Sequence, residues 1–416
     1  MTRRVSGGSH ADLGCERRLE VIVGSGFYRG IPIPTRIGQC SLDIPSALQP
    51  QKSSECSHLV DEDVAHLPID YSPWTHAIDC MHVPKSPDTK YCVFSNSRHG
   101  NGGVSIVTTP EIAANEIEML NDSGDTHFRS ANISAEPAWK VVDIPGKGKG
   151  VVATRHIKRS EAVMADWASL VVHLDFPTSV KRLEGYRHLH IAVDQLSGPD
   201  RVLGLARSST FSNDIVEDVL RTNAFSYPLS GEYHMALYPD VSRVNHACRP
   251  NAFIRFTPAS LAVSVVVQRD IEPGEEITIT YVPLGKSREE RQEALLKWGF
   301  SCSCDLCTAS KAEIAASDYR REKIKNMRQE VMKAVEVWDG TKAVKLTLEA
   351  LELMRDEDLA PLYASQYEIL ARIYWKAKDK KMGTKYAQMS IDTLVDQGYL
   401  EKNTEALPAL LETFDG

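Results

Sequence analysis

Three cysteines within six residues constrain this chain more than any other feature. Cys302, Cys304 and Cys307 stand in the segment CSCDLC. A structural Zn²⁺ ion takes four ligands in a tetrahedron, and thiolates are among its preferred ligands. Cys248 lies upstream and is the expected fourth ligand. We therefore predict one zinc centre that ties residue 248 to residues 302–307, because three adjacent free thiols would be prone to oxidation.

Composition places the chain among ordinary globular proteins. Hydrophobic residues make up 42% of the chain and charged residues 25%, which excludes collagen, a long coiled coil and a wholly disordered chain. The nine cysteines are odd in number and crowded, which favours a metal site in a reducing compartment over a disulfide scaffold. No run approaches the roughly 20 apolar residues that cross a bilayer, and the first residues lack the apolar core of a secretory signal. We expect a location in the cytoplasm, the nucleus or both.

The charge balance bears on possible partners. The chain has 48 basic and 56 acidic residues, a net charge of −8. A clamp on duplex DNA neutralises phosphates with lysine and arginine, so we expect no direct nucleic-acid binding, and we expect no membrane partner. A basic peptide remains compatible with an acidic chain as its substrate.

Sequence patterns divide the chain into five parts. Its length predicts two or three domains at about 150 residues each. The first part, residues 1–70, is rich in Pro, Gly and Ser and is predicted to be poorly ordered, and the second, residues 71–137, is of unknown role. The third, residues 138–285, is mostly strand. The fourth, residues 286–309, carries the clustered cysteines, and the fifth, residues 310–416, is helical. The third part contains a helical insert at about 178–222. The fifth predicts stacked helical hairpins like tetratricopeptide units.

Three more motifs carry polar or conformationally special residues. GKGKG at 146–150 has alternating glycines, which let a backbone approach a ligand closely, although a flexible hairpin turn is the alternative. NHACRPN at 245–251 packs two amides, an imidazole and a thiol into seven residues, with a polar loop as the alternative. GEEITITY at 274–281 ends a predicted strand on Tyr281, for which a packing role is the alternative.

In this order and spacing, the four motifs resemble the SET domain with its cysteine-rich post-SET segment, found in protein-lysine methyltransferases. The resemblance covers about 140–308. The helical tail is similar in placement to the C-terminal domain of the SET-and-MYND branch, but residues 157–247 contain no cysteine, so we expect no MYND module. The chain looks most like SET proteins common in fungi. The implied fold class is α+β, a SET fold of small β-sheets with a zinc-bound post-SET segment, followed by an all-α C-terminal domain of helical hairpins.

The resemblance also implies residue roles. Tyr281 matches the catalytic tyrosine, and Trp298 takes the place of an aromatic residue that lines the lysine channel. The residues that match contacts to S-adenosylmethionine are Lys147, Gly148, Lys149, Asn223, Asn245, His246, Tyr281 and Phe300. The zinc ligands are Cys248, Cys302, Cys304 and Cys307. The implied cofactors are therefore S-adenosylmethionine and Zn²⁺.

The chemistry of methyl transfer agrees with these residue types. The nucleophile is a neutral lysine, whereas an exposed lysine has a pKa of about 10.4. A narrow aromatic channel disfavours the ammonium and so lowers this pKa. The Tyr281 hydroxyl can orient the amine, but it is a poor general base because its own reference pKa is about 10.

We predict an S-adenosylmethionine-dependent protein-lysine N-methyltransferase that acts on a histone or a non-histone protein. One alternative is a catalytically weak SET-fold module that binds or regulates partners. The other is a methyltransferase with a non-protein substrate. The expected partners are the substrate protein and a protein bound to the C-terminal helices.

A further stretch is enriched in histidine and cysteine, but its spacings match no standard zinc finger. It contains His58, His66, His76, Cys80, His82 and Cys92. A second zinc site and a Cys80–Cys92 disulfide are alternatives, and we expect ordinary loop residues.

Overall fold

A computed structural model of the chain describes residues 71–116, 137–208, 211–256, 261–397, 400 and 404–414. In these ranges thirteen strands form three sheets. The strands are β1 (Asp79–Val83), β2 (Ser86–Asn96), β3 (Val104–Thr108), β4 (Trp139–Ile144), β5 (Gly148–Ala153), β6 (Ala162–Trp167), β7 (Leu170–His173), β8 (Phe225–Leu229), β9 (Glu232–Leu237), β10 (Asn245–His246), β11 (Ala252–Phe256), β12 (Ala262–Val267) and β13 (Glu276–Ile279).

The α-helices lie in three groups: one after β3, four between β7 and β8, and the rest after β13. They are α1 (Pro110–Asn115), α2 (Phe176–Ser179), α3 (Arg182–Asp194), α4 (Pro199–Leu203), α5 (Ile215–Asn223), α6 (Arg288–Leu295), α7 (Asp305–Thr308), α8 (Lys311–Glu336), α9 (Gly340–Asp356), α10 (Tyr363–Lys376), α11 (Lys380–Asp396) and α12 (Ala406–Glu412). No helix in the described part of the chain combines the length and apolarity that spanning a bilayer requires.

The largest sheet has six strands in the order β1-β2-β3-β7-β9-β8. Its central strands β3 and β7 run parallel, with Ser105 opposite Leu170. Both are buried along their whole length, as expected for strands covered on both faces. Helices α3 and α5 cover one face, where Leu189, Leu220 and Val172 belong to one buried hydrophobic cluster. The strands of residues 79–108 and 170–237 therefore share one sheet.

The two smaller sheets bring the sequence motifs together. Their strand orders are β10-β13-β5-β4 and β11-β12-β6. In the first, β10 runs parallel to β13, with Asn245 opposite Thr278 and His246 opposite Ile279. β13 pairs with β5 on its other side. The strands of NHACRPN, GEEITITY and GKGKG therefore lie side by side, although GKGKG ends at residue 150 and GEEITITY begins only at residue 274.

Cys80 and Cys92 correct one expectation. They lie directly opposite each other on β1 and β2, and their sulfur atoms form a disulfide. Our expectation of ordinary loop residues is therefore wrong for this pair, because both belong to a strand hairpin whose register brings them into contact. His58 and His66 lie outside the described residues. Within the described ranges, His76 and His82 join no cluster with metal-ligand geometry.

The C-terminal helices repeat at a spacing of 40 residues. The buried face of α9 consists of Ala343, Thr347, Ala350, Leu351 and Met354. The buried face of α11 consists of Gly383, Ala387, Ser390, Ile391 and Leu394, each 40 positions later. An aspartate caps the N-terminus of each helix and accepts a backbone N–H with its side chain, Asp339 before α9 and Asp379 before α11. This spacing is longer than the 34 residues of a tetratricopeptide unit.

The helical region packs directly on the sheets. Leu284, which follows β13, lies against Ile324 of α8 and Met354 of α9. Arg255 of β11 donates from Nε and Nη2 to the carbonyl oxygen of Asp396, at 3.0 and 2.8 Å. The ends of α9 and α11 thus both approach the strand-rich part of the chain.

Candidate active site

Four cysteines form one compact buried cluster. Cys248 follows β10, Cys302 and Cys304 lie in the loop before α7, and Cys307 is within α7. The four sulfur atoms all lie within 4.8 Å of one another. Cys248 Sγ is 3.8 Å from Cys302 Sγ and 3.5 Å from Cys307 Sγ. Four Zn–S bonds of about 2.3 Å in a tetrahedron place sulfur atoms about 3.8 Å apart, so this arrangement fits a Zn²⁺ ion.

The cysteine loop is held in place by backbone amides and by α6. The backbone N–H groups of Cys248 and Cys304 point at the sulfur atoms of Cys304 and Cys302, each at 3.5 Å. Gln292 of α6 donates to the Cys302 carbonyl and accepts from the Cys302 N–H, both at 2.9 Å. Gln292 therefore fixes the loop through two hydrogen bonds to the backbone of Cys302, a role that sequence reasoning missed.

Arg291 is the buried cation beside this cluster. Only 2% of its surface is exposed, and its Nη1 donates to the Lys286 carbonyl at 2.5 Å. Burial opposes its charge, yet the thiols of Cys248 and Cys307 raise the pKa of Arg291. Four thiolates around a divalent zinc ion would leave a net charge of −2. Arg291 offsets part of such a charge.

Asn245 connects GKGKG with GEEITITY. Its Nδ2 donates to Lys149 O at 3.1 Å and to Glu276 Oε1 at 3.0 Å. The other carboxylate oxygen of Glu276 accepts from Lys147 Nζ at 2.6 Å. Glu276 therefore links the two strands, a second role that sequence reasoning missed although the residue stands inside the GEE motif. The Lys149 side chain points elsewhere and pairs with Asp143 at the exposed edge.

The glycines of GKGKG do two different things. Gly146 and Gly148 have φ values of +75° and +72°, and no atom lies within 4 Å of the place where a β-carbon would stand on either. They therefore turn the hairpin between β4 and β5 and leave open space there. Gly150 has no positive φ. A β-carbon on Gly150 would meet Ile144 Cγ1 at 2.5 Å and Asn245 Nδ2 at 2.7 Å. Glycine at 150 therefore makes room for the Asn245 amide.

Tyr281 and His246 meet at the end of β13. The Tyr281 hydroxyl donates to Val244 O at 2.8 Å, and its backbone N–H donates to His246 Nδ1 at 3.0 Å. Because Nδ1 accepts, the proton of the neutral ring lies on Nε2, which is 3.4 Å from Cys248 Sγ. Burial lowers the pKa of His246 to about 4, so the ring is neutral. Burial, aided by Glu276, raises the pKa of Tyr281, so its hydroxyl keeps its proton.

Aromatic rings surround Tyr281. Its ring centroid lies 5.7 Å from that of Trp298 and 6.5 Å from that of Phe300. Trp298 Nε1 donates to Thr222 O at 2.9 Å, across to the end of α5. Asn223, the next residue, uses its Nδ2 group on Ala206 O and Val219 O, at 2.8 and 2.7 Å. Asn223, one of the residues expected to contact the cofactor, is therefore connected to Trp298 through the backbone of its neighbour Thr222.

Asp166 holds the turn that leads into NHACRPN. This fully buried carboxylate on β6 accepts the backbone N–H groups of Asp240 and Val241, at 2.6 and 3.0 Å. Burial, and then the charge of Asp240, raise the pKa of Asp166 to about 7. The turn ends at Val244, whose carbonyl accepts the Tyr281 hydroxyl. Asp166 thereby helps to position that acceptor.

Comparison with known proteins agrees with this geometry. The family model described as "SET domain" matches residues 148–282. The chain carries a SET domain. This SET domain begins at Gly148, contains NHACRPN and ends one residue after Tyr281.

The relatives of this SET domain include named methyltransferases. The histone-lysine N-methyltransferase set5 of Schizosaccharomyces pombe is 32% identical over 193 residues, 45% of this chain and 56% of that protein. The histone-lysine N-methyltransferase SMYD3 of Homo sapiens is 38% identical over 108 residues, 25% of this chain and 24% of that protein. The N-lysine methyltransferase SMYD2 of Homo sapiens is 29% identical over 126 residues, 28% of this chain and 29% of that protein. The chain thus spans about half of the first relative's length, and less of the other two.

Proposed function

We propose that the protein is an S-adenosylmethionine-dependent protein-lysine N-methyltransferase. The observation that carries this proposal is the Tyr281 hydroxyl, held on Val244 O and enclosed by Trp298 and Phe300. The names of the relatives support it. The chain spans only part of the length of these relatives.

The residues around Tyr281 suit S-adenosylmethionine. Asn245 Nδ2 donates to the carbonyl of Lys149, the residue after Gly148, whose β-carbon position is open. Phe300 offers a half-buried ring for an adenine. When bound, S-adenosylmethionine supplies a methyl group on a positively charged sulfur atom. Lys147 is neutralised by Glu276, so this side of the site adds little net positive charge against such a ligand.

The aromatic residues are proposed to prepare the lysine. Tyr281 and Trp298 would remove water from around the ammonium group, and desolvation lowers the pKa of a lysine. Since Tyr281 keeps its proton, it would not act as the base. Its hydroxyl and the Val244 carbonyl instead orient the amine lone pair, and such positioning can contribute several kcal/mol to catalysis.

The cysteine cluster is proposed to hold a structural Zn²⁺ ion. The four cysteine thiolates would fill all four ligand positions, which is typical of structural and not catalytic zinc sites. The ion would fix residues 302–307 against Cys248 and His246. The adjoining Trp298 and Phe300 would thereby keep their places beside Tyr281.

The test is a methyl-transfer assay on the full chain, with labelled S-adenosylmethionine, purified histones and a proteome extract. Wild type should label lysine side chains, as read by mass spectrometry, and Tyr281→Phe should reduce turnover by about 100-fold, or roughly 3 kcal/mol. Tyr374→Phe is the matched control, because it removes a hydroxyl from another half-buried ring, stacked on Tyr386.

Each other outcome contradicts part of the proposal. Undiminished transfer by Tyr281→Phe would mean that Tyr281 is structural. Cofactor binding without transfer would favour a binding module, and labelling of small molecules alone would favour a non-protein substrate. A histone as the target, a protein partner on the C-terminal helices and a cytoplasmic or nuclear location remain predictions.

A further inference from the structure

Glu357, the residue that follows α9, is a fully buried carboxylate between the helical region and the SET domain. Its Oε2 accepts from Ser317 Oγ at 2.6 Å and from Arg321 Nε at 2.8 Å. Its Oε1 accepts from Arg320 Nε at 2.6 Å and lies 3.5 Å from Arg249 Nη2. A buried carboxylate is tolerated only when it is paired and hydrogen-bonded in this way.

Two routes lead from Glu357 to the cysteine cluster. The first is Arg249, which directly follows Cys248 in NHACRPN. The second passes through Arg321, whose Nη1 donates to the Lys286 carbonyl at 3.3 Å. Arg291, the buried cation beside the cysteines, donates to the same carbonyl.

The 40-residue repeat indicates that this charge is not needed to end the helix. The equivalent position after α11 is Gln397, a neutral residue that is also buried. Its amide donates to Ala360 O at 3.5 Å, and α11 ends at this equivalent position without a carboxylate. The charge therefore occurs only in the hairpin whose end faces NHACRPN.

The buried negative charge of Glu357 is explained by the arginines around it. Arg249, Arg320 and Arg321 would repel one another if they were brought together without an anion, and Arg321 is fully buried. Glu357 contacts all three. Arg249 follows Cys248, and Arg321 shares the Lys286 carbonyl with Arg291. These two arginines can therefore offset part of the net charge of −2 that four thiolates and a zinc ion would carry.

We propose that Glu357 is a positioning residue for the SET domain: through Arg249 and Arg321 it fixes residues 245–251, and with them the zinc cluster and the cofactor-binding Asn245 and His246. This inference rests on the proposed function for the cofactor and on the cysteine geometry for the metal. In this proposal the helical region helps to hold the residues of the cofactor site in position.

The test compares Glu357→Gln with Glu368→Gln in the full chain. Glu357→Gln installs the residue already found at the equivalent position 397, so the turn itself should fold. Glu368 is the matched control, since it is a buried carboxylate of α10 that pairs with Arg372 within the helical region. The readouts are S-adenosylmethionine affinity by calorimetry and the visible absorption of the Co²⁺-substituted protein, which reports thiolate geometry.

We expect Glu357→Gln to weaken cofactor binding by about tenfold or more, the usual scale for residues that support a metal site, and to shift the Co²⁺ bands. Glu368→Gln should change neither readout, even where it lowers the melting temperature. Equal affinity and identical spectra for the two variants would overturn the proposal, because Glu357 would then only stabilise the helices.

Arg249→Gln, alone and with Glu357→Gln, tests the link from the other side. If the two residues act as one unit, the double variant should bind the cofactor no more weakly than the weaker single variant. Fully additive losses would overturn the route through Arg249. A wild-type protein that binds no S-adenosylmethionine would refute the proposed function, while the Co²⁺ spectra would still decide the role of Glu357.

Discussion

Replacing Gly150 by alanine tests the packing around Asn245. The added β-carbon would stand 2.5 Å from Ile144 Cγ1 and 2.7 Å from Asn245 Nδ2, whereas carbon atoms in contact lie about 3.5–4.0 Å apart. Ile144 is half-buried and can rotate away. The Asn245 amide cannot move without losing its hydrogen bonds to Lys149 O and Glu276 Oε1. Overpacking costs about 1–3 kcal/mol, and a hydrogen bond to a charged group contributes about 1.5–3 kcal/mol.

We therefore expect Gly150→Ala to lower the free energy of unfolding by about 1–3 kcal/mol. Affinity for S-adenosylmethionine should fall by about tenfold or more, since about 1.4 kcal/mol corresponds to tenfold. Urea denaturation measures the first quantity and titration calorimetry the second. Gly340→Ala is the matched control, because its added carbon meets only Ile373 Cγ2, at 3.6 Å. Equal cofactor affinity in the two variants would refute the idea that Gly150 makes room for a cofactor-binding Asn245.

Three further changes have expected outcomes. Elemental analysis should find about one zinc ion per chain, and Cys304→Ser should lower the zinc content; full retention of zinc by a Cys248→Ala, Cys304→Ala double variant would contradict the assignment. Trp298→Phe keeps a ring but loses the donation to Thr222 O, so the free energy of unfolding should fall by about 1 kcal/mol and the KM for the protein substrate should rise more than kcat falls. Asp166 binds its proton more tightly in the folded state, with a pKa of about 7, so its contribution to stability is complete below about pH 4 and is lost as pH rises towards 7. Relative to Asp166→Asn, wild type should lose up to about 1.4 kcal/mol of unfolding free energy per pH unit in that window, as measured by urea denaturation. Parallel curves of stability against pH for the two proteins would contradict this expectation.

Much of the fold follows from periodicity and turn chemistry. The alternation in ITITYV and the valine-rich AVSVVV predict β13 and β12, and both strands are present. Helix α8 begins where a serine and a glutamate three residues later form a capping box, Ser310 and Glu313. These signals are local, so the sequence alone can reveal them.

What the sequence could not predict depends on contacts between distant segments. Glu276 and Gln292 look like ordinary surface residues, because their partners lie in other elements. The Cys80–Cys92 disulfide depends on the register of a hairpin that their spacing alone does not specify. Arg291 is an extreme case, since an arginine in a charged helix is normally exposed and here it is buried beside thiols.

Helices α9 and α11, which are related by the 40-residue repeat, also point their helix dipoles in the same direction. The C-terminal end of an α-helix carries the equivalent of about half a negative charge. Because α9 and α11 repeat, both negative ends point to the same side, and each meets an arginine of the strand-rich part, Arg249 near the end of α9 and Arg255 at that of α11. The two hairpins are therefore oriented on the SET domain by charge as well as by apolar packing. A hairpin inserted in the opposite direction would present its positive end to these arginines and be repelled.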